Sequence, residues 1–246
     1  MAALGGMLRR PAEAKPPTPD NAPSQHTRLT AMRIPLSLCF YAMRSPLGRL
    51  ARTALPAGFL LGFLDFVWIK YLPFPLGELG NSSAVWAVAA FLYAFWLRSR
   101  WWLGAFGAVA GLVVAVPSYY LAAALIQGDD LAVLGQPTSI LWMCFGVLAG
   151  VVFGVGGTWA REQGWRQVVG VALPGAVLFA EAAFFARRIG DPSYGSEPSA
   201  HAAIRVALGV LIIILTARTH RHRLFALATA LPLTLAGFAA FLVGFR

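Results

Sequence analysis

Two carboxylates in this chain stand where carboxylates are costly. Asp65 lies near the middle of the apolar stretch ALPAGFLLGFLDFVWIKYLP (residues 54–73), and Glu181 lies inside a second apolar run. An acidic side chain at bilayer depth costs at least about 2.5–3.5 kcal/mol on insertion scales, so each must face protein, water or a bound molecule. A carboxyl held in an apolar pocket keeps its proton at neutral pH and can deliver it as a general acid. The polar and aromatic residues nearest these acids gather at one end of their apolar runs: Trp68 and Lys70; Ser118, Tyr119, Tyr120 and Gln127; Phe184, Phe185, Arg187 and Arg188; and His201 with Arg205. Trp68, Tyr119, Tyr120, Phe184, Phe185, Arg188, His201 and Arg205 are the candidate substrate-binding set, because ring faces stabilise a developing cation and cations orient an acid. Glu181, Phe185 and Arg188 fall on one helical face at i, i+4 and i+7, which predicts that Arg188 neutralises or orients Glu181. His201 and Arg205 share a face in the same way.

Other chemistries lack their residues. There is no Walker loop and no GxGxxG, no HExxH, and no Ser–His arrangement that fits an intramembrane protease. Asp129 and Asp130 have no third acidic partner at the spacing that holds magnesium on a diphosphate. His220 and His222 have metal-like spacing but sit among arginines that oppose a metal, so no metal site and no cofactor is expected. Asn81-Ser82-Ser83 matches a glycosylation acceptor; Arg outnumbers Lys 18 to 2 amid abundant Ala and Gly, the composition expected of a high-GC bacterial genome, in which that acceptor is silent.

The elements that position these residues are membrane spans. Hydrophobic residues make up 58% of the chain and charged residues only 12%, with a mean hydropathy of +0.66. Apolar runs recur at 54–73, 81–97, 101–127, 138–160, 166–187, 199–217 and 223–244, each near the length that crosses a core of about 30 Å. The fold class is therefore an all-α bundle of seven transmembrane helices, or six if the short second run only dips into the bilayer. Residues 1–31, rich in proline and polar residues, predict a disordered cytoplasmic tail. Residues 32–53 predict a basic juxtamembrane segment, and residues 54–246 the transmembrane domain. Cys39 precedes the first span and Cys144 lies in the fourth, so no disulfide framework is expected.

The net charge of +10 could point to nucleic acid, but the arginines cluster in the short segments between apolar runs. With the N-terminus inside, fifteen of the twenty Lys and Arg fall on the cytoplasmic side, which predicts a cytoplasmic N-terminus and an extracytoplasmic C-terminus in the cell membrane. Gly58 and Gly62 in the first span, and Gly146, Gly150 and Gly154 in the fourth, form small-residue seams that let helices approach closely. Ala-Leu-Pro triplets at 54–56, 172–174 and 230–232 are each expected to open a span, and Pro117 completes a spacing of 57 to 61 residues, consistent with a repeated two-span unit.

Three runs, GFLLGFLDFVWIKYLP (58–73), LGNSSAVWAVAAFLYAF (79–95) and SYYLAAALIQGDD (118–130), resemble a group of actinobacterial multi-pass membrane proteins of unknown function. The size, the span count and the paired embedded acids are also similar to the small membrane-bound cyclases that close prenylated substrates into terpenoid rings. That second resemblance implies acid-initiated cyclisation of a lipophilic substrate without a cofactor. The acidic motifs of those enzymes do not align with this chain, so Asp65 and Glu181 are nominated as catalytic from this sequence alone. Two other functions fit the same residues: a small proton- or cation-coupled transporter, and a non-catalytic membrane partner subunit. The expected partners are the lipid bilayer and a lipophilic small molecule, and no nucleic acid.

Overall fold

The computed structural model describes residues 46–244; the proposed tail and most of the juxtamembrane segment, with Cys39, lie outside them. Seven α-helices follow one another: α1 Pro46–Tyr71, α2 Ser83–Leu97, α3 Trp101–Gln127, α4 Pro137–Trp159, α5 Trp165–Ala186, α6 Glu197–Thr216 and α7 His220–Gly244. Short 3-10 turns, Gly77–Leu79 and Leu131–Gly135, interrupt two of the loops. Among the described residues there is no β-strand.

Six of these helices are long and apolar enough to cross a membrane. The exception is α2, whose 15 residues reach about 22 Å at 1.5 Å per residue. It still belongs to a full pass, because the chain after Tyr71 turns back into the bundle before the helix begins. Gly80 lies against Asp65 and Ile69 of α1, and Trp86 bonds to Asp65, so α2 starts below the end of α1, within the bundle. Its last turn is tied to the opposite end of the bundle, where Arg161 donates to the Phe95 carbonyl at 2.8 Å. The expected seventh pass is therefore part helix and part irregular backbone.

Successive helices run in opposite directions. Gly58 faces Gly111, Gly62 faces Ala115 and Phe66 meets Tyr119, an unchanging offset that makes α1 and α3 parallel neighbours. In the same way Thr234 bonds to the Ala176 carbonyl and Phe241 meets Phe184, so α5 and α7 are parallel. The seams predicted from glycine spacing lie at helix crossings. Gly146, Gly150 and Gly154 face Leu112, Val109 and Ala105 of α3, while Gly156 and Gly157 turn to α5 and α2. The prolines of the triplets differ from expectation: Pro56, Pro174 and Pro232 lie inside α1, α5 and α7 and do not open them, just as Pro117 lies inside α3. Flanking helix formers extend each helix ahead of its proline, so the Ala-Leu-Pro triplets mark no helix start. All four prolines fall on the helices that run in one direction.

The most enclosed helix is α5, with 56% of its span buried, against 17% for α7. Phe91, Val171 and Ile213 pack at its centre with a layer of alanines. Exposed leucines and aromatic residues such as Leu60, Leu148, Leu215 and Leu235 cover the outer faces, as a lipid-facing surface requires.

A side chain added at Gly62 would collide with the Ala115 backbone, whereas one at Gly135 would meet nothing. Gly62→Ala should cost about 1–3 kcal/mol through overpacking and lower the Tm in detergent, while Gly135→Ala should leave it unchanged. The charge pattern sets a second expectation. Cysteines introduced at Asp130 and Arg221 lie at opposite ends of the bundle, and a membrane-impermeant reagent applied from outside should label position 130 and not 221.

Candidate functional site

The irregular segment before α2 brings the candidate residues together. Ser82 is the N-cap of α2: its hydroxyl accepts from the Val85 amide at 3.2 Å and satisfies one of the donors a helix start leaves open. The same hydroxyl donates to Glu181 Oε2 at 2.5 Å. Arg205 Nε donates to that oxygen at 2.6 Å, and both side chains are almost fully buried. Arg205 Nη1 also lies 3.3 Å from His201 Nδ1 and donates to the His201 carbonyl. Its guanidinium stacks over Phe185 at 4.5 Å, and the His201 ring stacks on Phe185 and meets the edge of Phe74. Three helices and the re-entrant loop are thus joined through one carboxylate.

This corrects the expected partner of Glu181. Arg188, about two turns further along and past the end of α5 at Ala186, lies over Phe184 and Tyr194. The cation that meets Glu181 comes from α6, because the antiparallel crossing of α5 and α6 places Arg205 level with it. Likewise Lys70 does not turn inward to Asp65; its Nζ donates to Gln127 Oε1 at 2.7 Å.

Asp65 has different surroundings. It is buried, and Trp86 Nε1 donates to its Oδ2 at 3.1 Å. Among the described residues the ion pairs are Arg205–Glu181 and Arg166–Glu162, so Asp65 faces no cation at ion-pair distance. Two cavities meet at it. One, of about 320 Å³, is lined by Asp65, Asn81, Ser82, Ser83, Trp86, Tyr119, Tyr120, Trp142 and Phe145. The N-terminus of α2, the positive end of its dipole, opens into this chamber. The other, of about 540 Å³, is an apolar groove along the gap between α1 and α2, floored by Gly107, Ala108 and Gly111 of α3. It exists because α1 and α2 barely touch; two side-chain bonds bridge them, Thr53–Tyr93 at 2.9 Å and Asp65–Trp86. Its rim residues Leu60, Leu64 and Trp68 are exposed where lipid would lie.

Of the sequence-derived set, Asp65, Tyr119 and Tyr120 share the polar chamber, and Trp68 stands on the groove. Glu181, Phe185, His201 and Arg205 form the buried network behind Ser82, while Phe184 and Arg188 lie beyond it, with Arg187 over Phe184 at 4.4 Å. Ser82, Trp86, Trp142 and Phe145 are not among the site residues nominated from the sequence. Ser82 carried a usable signal, a serine immediately before a long apolar run, which is the pattern of a helix cap. Among the described residues no three His, Cys, Asp or Glu side chains come together as metal ligands.

Removing Arg205 would leave Glu181 buried without its cation. Arg205→Leu should destabilise the protein by about 3–5 kcal/mol, and Arg188→Leu by about 1 kcal/mol or less, since it loses only ring contacts. Melting curves of the two variants in detergent compare them directly. Equal losses would reject the pairing.

Neither the curated proteins nor the solved structures contain a match to this chain, and the resemblance to membrane-bound cyclases finds no support there. The three sequence runs that resemble a multi-pass family of unknown function find their counterpart. Residues 42–246, which include all seven helices, match the family of unknown function DUF6518, and the chain belongs to that family.

Proposed function

We propose that this multi-pass membrane protein takes a lipophilic, prenyl-type substrate from the bilayer and acts on it by acid catalysis at Asp65. The observation that carries the reading is that Asp65 forms a wall of both cavities, the apolar groove facing lipid and the polar, ring-lined chamber. An apolar chain can lie along the α1–α2 gap with its reactive end at Asp65. A polar head can meet Asn81, Ser83 and the start of α2. The acid would transfer its proton to an alkene carbon, or to an epoxide oxygen whose C–O bond then breaks, leaving the positive charge on carbon. Ring closure then moves the positive charge along the chain, where Trp86, Tyr119 and Tyr120 offer their faces. Loss of a proton from the product cation to the Asp65 carboxylate returns the acid to its starting state, so no cofactor is consumed.

Glu181 takes a positioning role in this scheme. With Arg205 and Ser82 on one of its oxygens, it holds the start of α2 beside Asp65.

Asp65→Asn is the decisive variant. The amide keeps nearly the same shape and still accepts from Trp86, but it has no proton to deliver. Product formation from prenylated substrates should fall by at least about 100-fold while the melting temperature stays near that of the wild type. A folded variant with full activity would overturn the assignment. Absence of product in the wild type, together with a proton flux in liposomes that Asp65→Asn abolishes, would move the reading to a proton-coupled carrier.

A further inference from the structure

A second concave site lies at the other end of the bundle, where α2 passes into α3 and α4 into α5. It encloses about 630 Å³ between Arg98, Arg100, Trp101, Trp102, Arg161 and Glu162. Three arginines face one glutamate here, and that glutamate already holds Arg166 at 3.0 Å. Arg161 is anchored: its guanidinium donates to the Phe95 carbonyl and lies over the Phe95 ring at 5.1 Å. Arg218 reaches the same place by donating to the Arg161 carbonyl at 3.3 Å. Among the described residues Arg98 and Arg100 have no acidic or carbonyl partner for their guanidinium groups. Arg98 itself ends α2 in the left-handed region, at φ 51°, which arginine adopts only at a cost. That turn carries the chain directly into α3 and places both free cations on the rim of one hollow.

We infer that this hollow binds the phosphate of an anionic phospholipid headgroup. The cations are fixed or converge on one volume, the one carboxylate among them, Glu162, is paired with Arg166, and Trp101 and Trp102, exposed at 58% and 43%, flank them at the start of a membrane span. Paired tryptophans at a span end sit at headgroup level, where acyl chains can continue down the lipid-facing surface. The electrostatics agree. Burial, and then the charges of Arg98 and Arg218, push the Arg161 pKa below its ordinary value, and a phosphate among them relieves that repulsion. A guanidinium fork meets phosphate oxygens in a bidentate fashion, which accounts for arginine at every cationic position of the hollow.

The test uses the full chain purified in a neutral detergent, titrated with phosphatidylglycerol, with phosphatidylcholine or with inorganic phosphate, and read by melting temperature and native mass spectrometry. Phosphatidylglycerol should raise the Tm and remain bound, whereas phosphatidylcholine should do neither. The double variant Arg98→Gln/Arg100→Gln removes only cations that hold no partner, so the fold is retained. It should weaken phosphatidylglycerol binding by roughly fivefold per arginine, about 25-fold in all. The charge-matched pair Lys70→Gln/Arg187→Gln at the opposite end should leave lipid binding unchanged. Equal shifts with both lipids, or undiminished binding in the Arg98/Arg100 variant, would overturn the site. A shift with inorganic phosphate as large as that with phosphatidylglycerol would overturn the assignment to a lipid.

Discussion

Between Tyr71 and Ser83 the backbone returns into the bundle without a continuous helix, and in hydrocarbon each polar group left unmatched would cost several kcal/mol. The segment meets this constraint with short local bonds. Leu76 and Gly77 donate to the Pro73 carbonyl, Gly80 to Gly77, and Ser82 to Leu79. Trp68 Nε1 reaches across to the Leu76 carbonyl at 2.7 Å. The new helix then starts on Ser82, whose hydroxyl is secured to Glu181. Irregular backbone at this depth occurs where it is covered by protein or lines a cavity, and here it does both: Ser82 is fully covered, and Gly80 and Asn81 line the chamber beside Asp65. The shortness of α2 and the polar wall of the chamber beside the candidate acid follow from this one interruption.

The two embedded acids divide their work by environment. Glu181 sits in the best-enclosed helix and accepts from Arg205 and Ser82, an arrangement in which the Coulombic gain offsets desolvation because the geometry is close and charge-assisted. Such a group ties elements together. Asp65 receives one indole N–H and opens on two cavities, an arrangement that leaves it accessible to a bound molecule. Equal residue types in similar apolar runs thus occupy unlike positions, one in a structural lock and one at a junction of spaces.

Glycine and alanine decide how near the helices come, and so decide where space remains. Along α3, Gly111 and Ala115 receive α1, while Val109 and Ala105 receive the α4 seam. Because α1 is drawn onto α3 and α2 is drawn toward α4 and α5, the α1–α2 interface is left open and floored by small residues. In a bilayer no hydrophobic force closes such a gap, since lipid chains fill it as well as side chains do. Tight packing in one place therefore creates a lipid-accessible groove in another.

Hydropathy, length and charge patterning were enough to specify an all-α membrane bundle, the approximate extents of its helices and the glycine seams, because each of these depends on local composition and helical periodicity alone. The burden carried by Asp65 and Glu181 was equally plain, since an acid in an apolar run is costly wherever its neighbours are. Tertiary structure alone decided the partners. Glu181 meets Arg205 and not Arg188 because the α5–α6 crossing sets two residues 24 positions apart at one level, while α5 ends at Ala186 and Arg188, beyond it, lies over Phe184 and Tyr194. The role of Ser82 required knowledge of where α2 begins, which a continuous apolar run from 81 to 97 does not reveal. The junction of groove and chamber at Asp65 is likewise a property of packing: it depends on which helices touch and which do not, and no single segment of the chain encodes that.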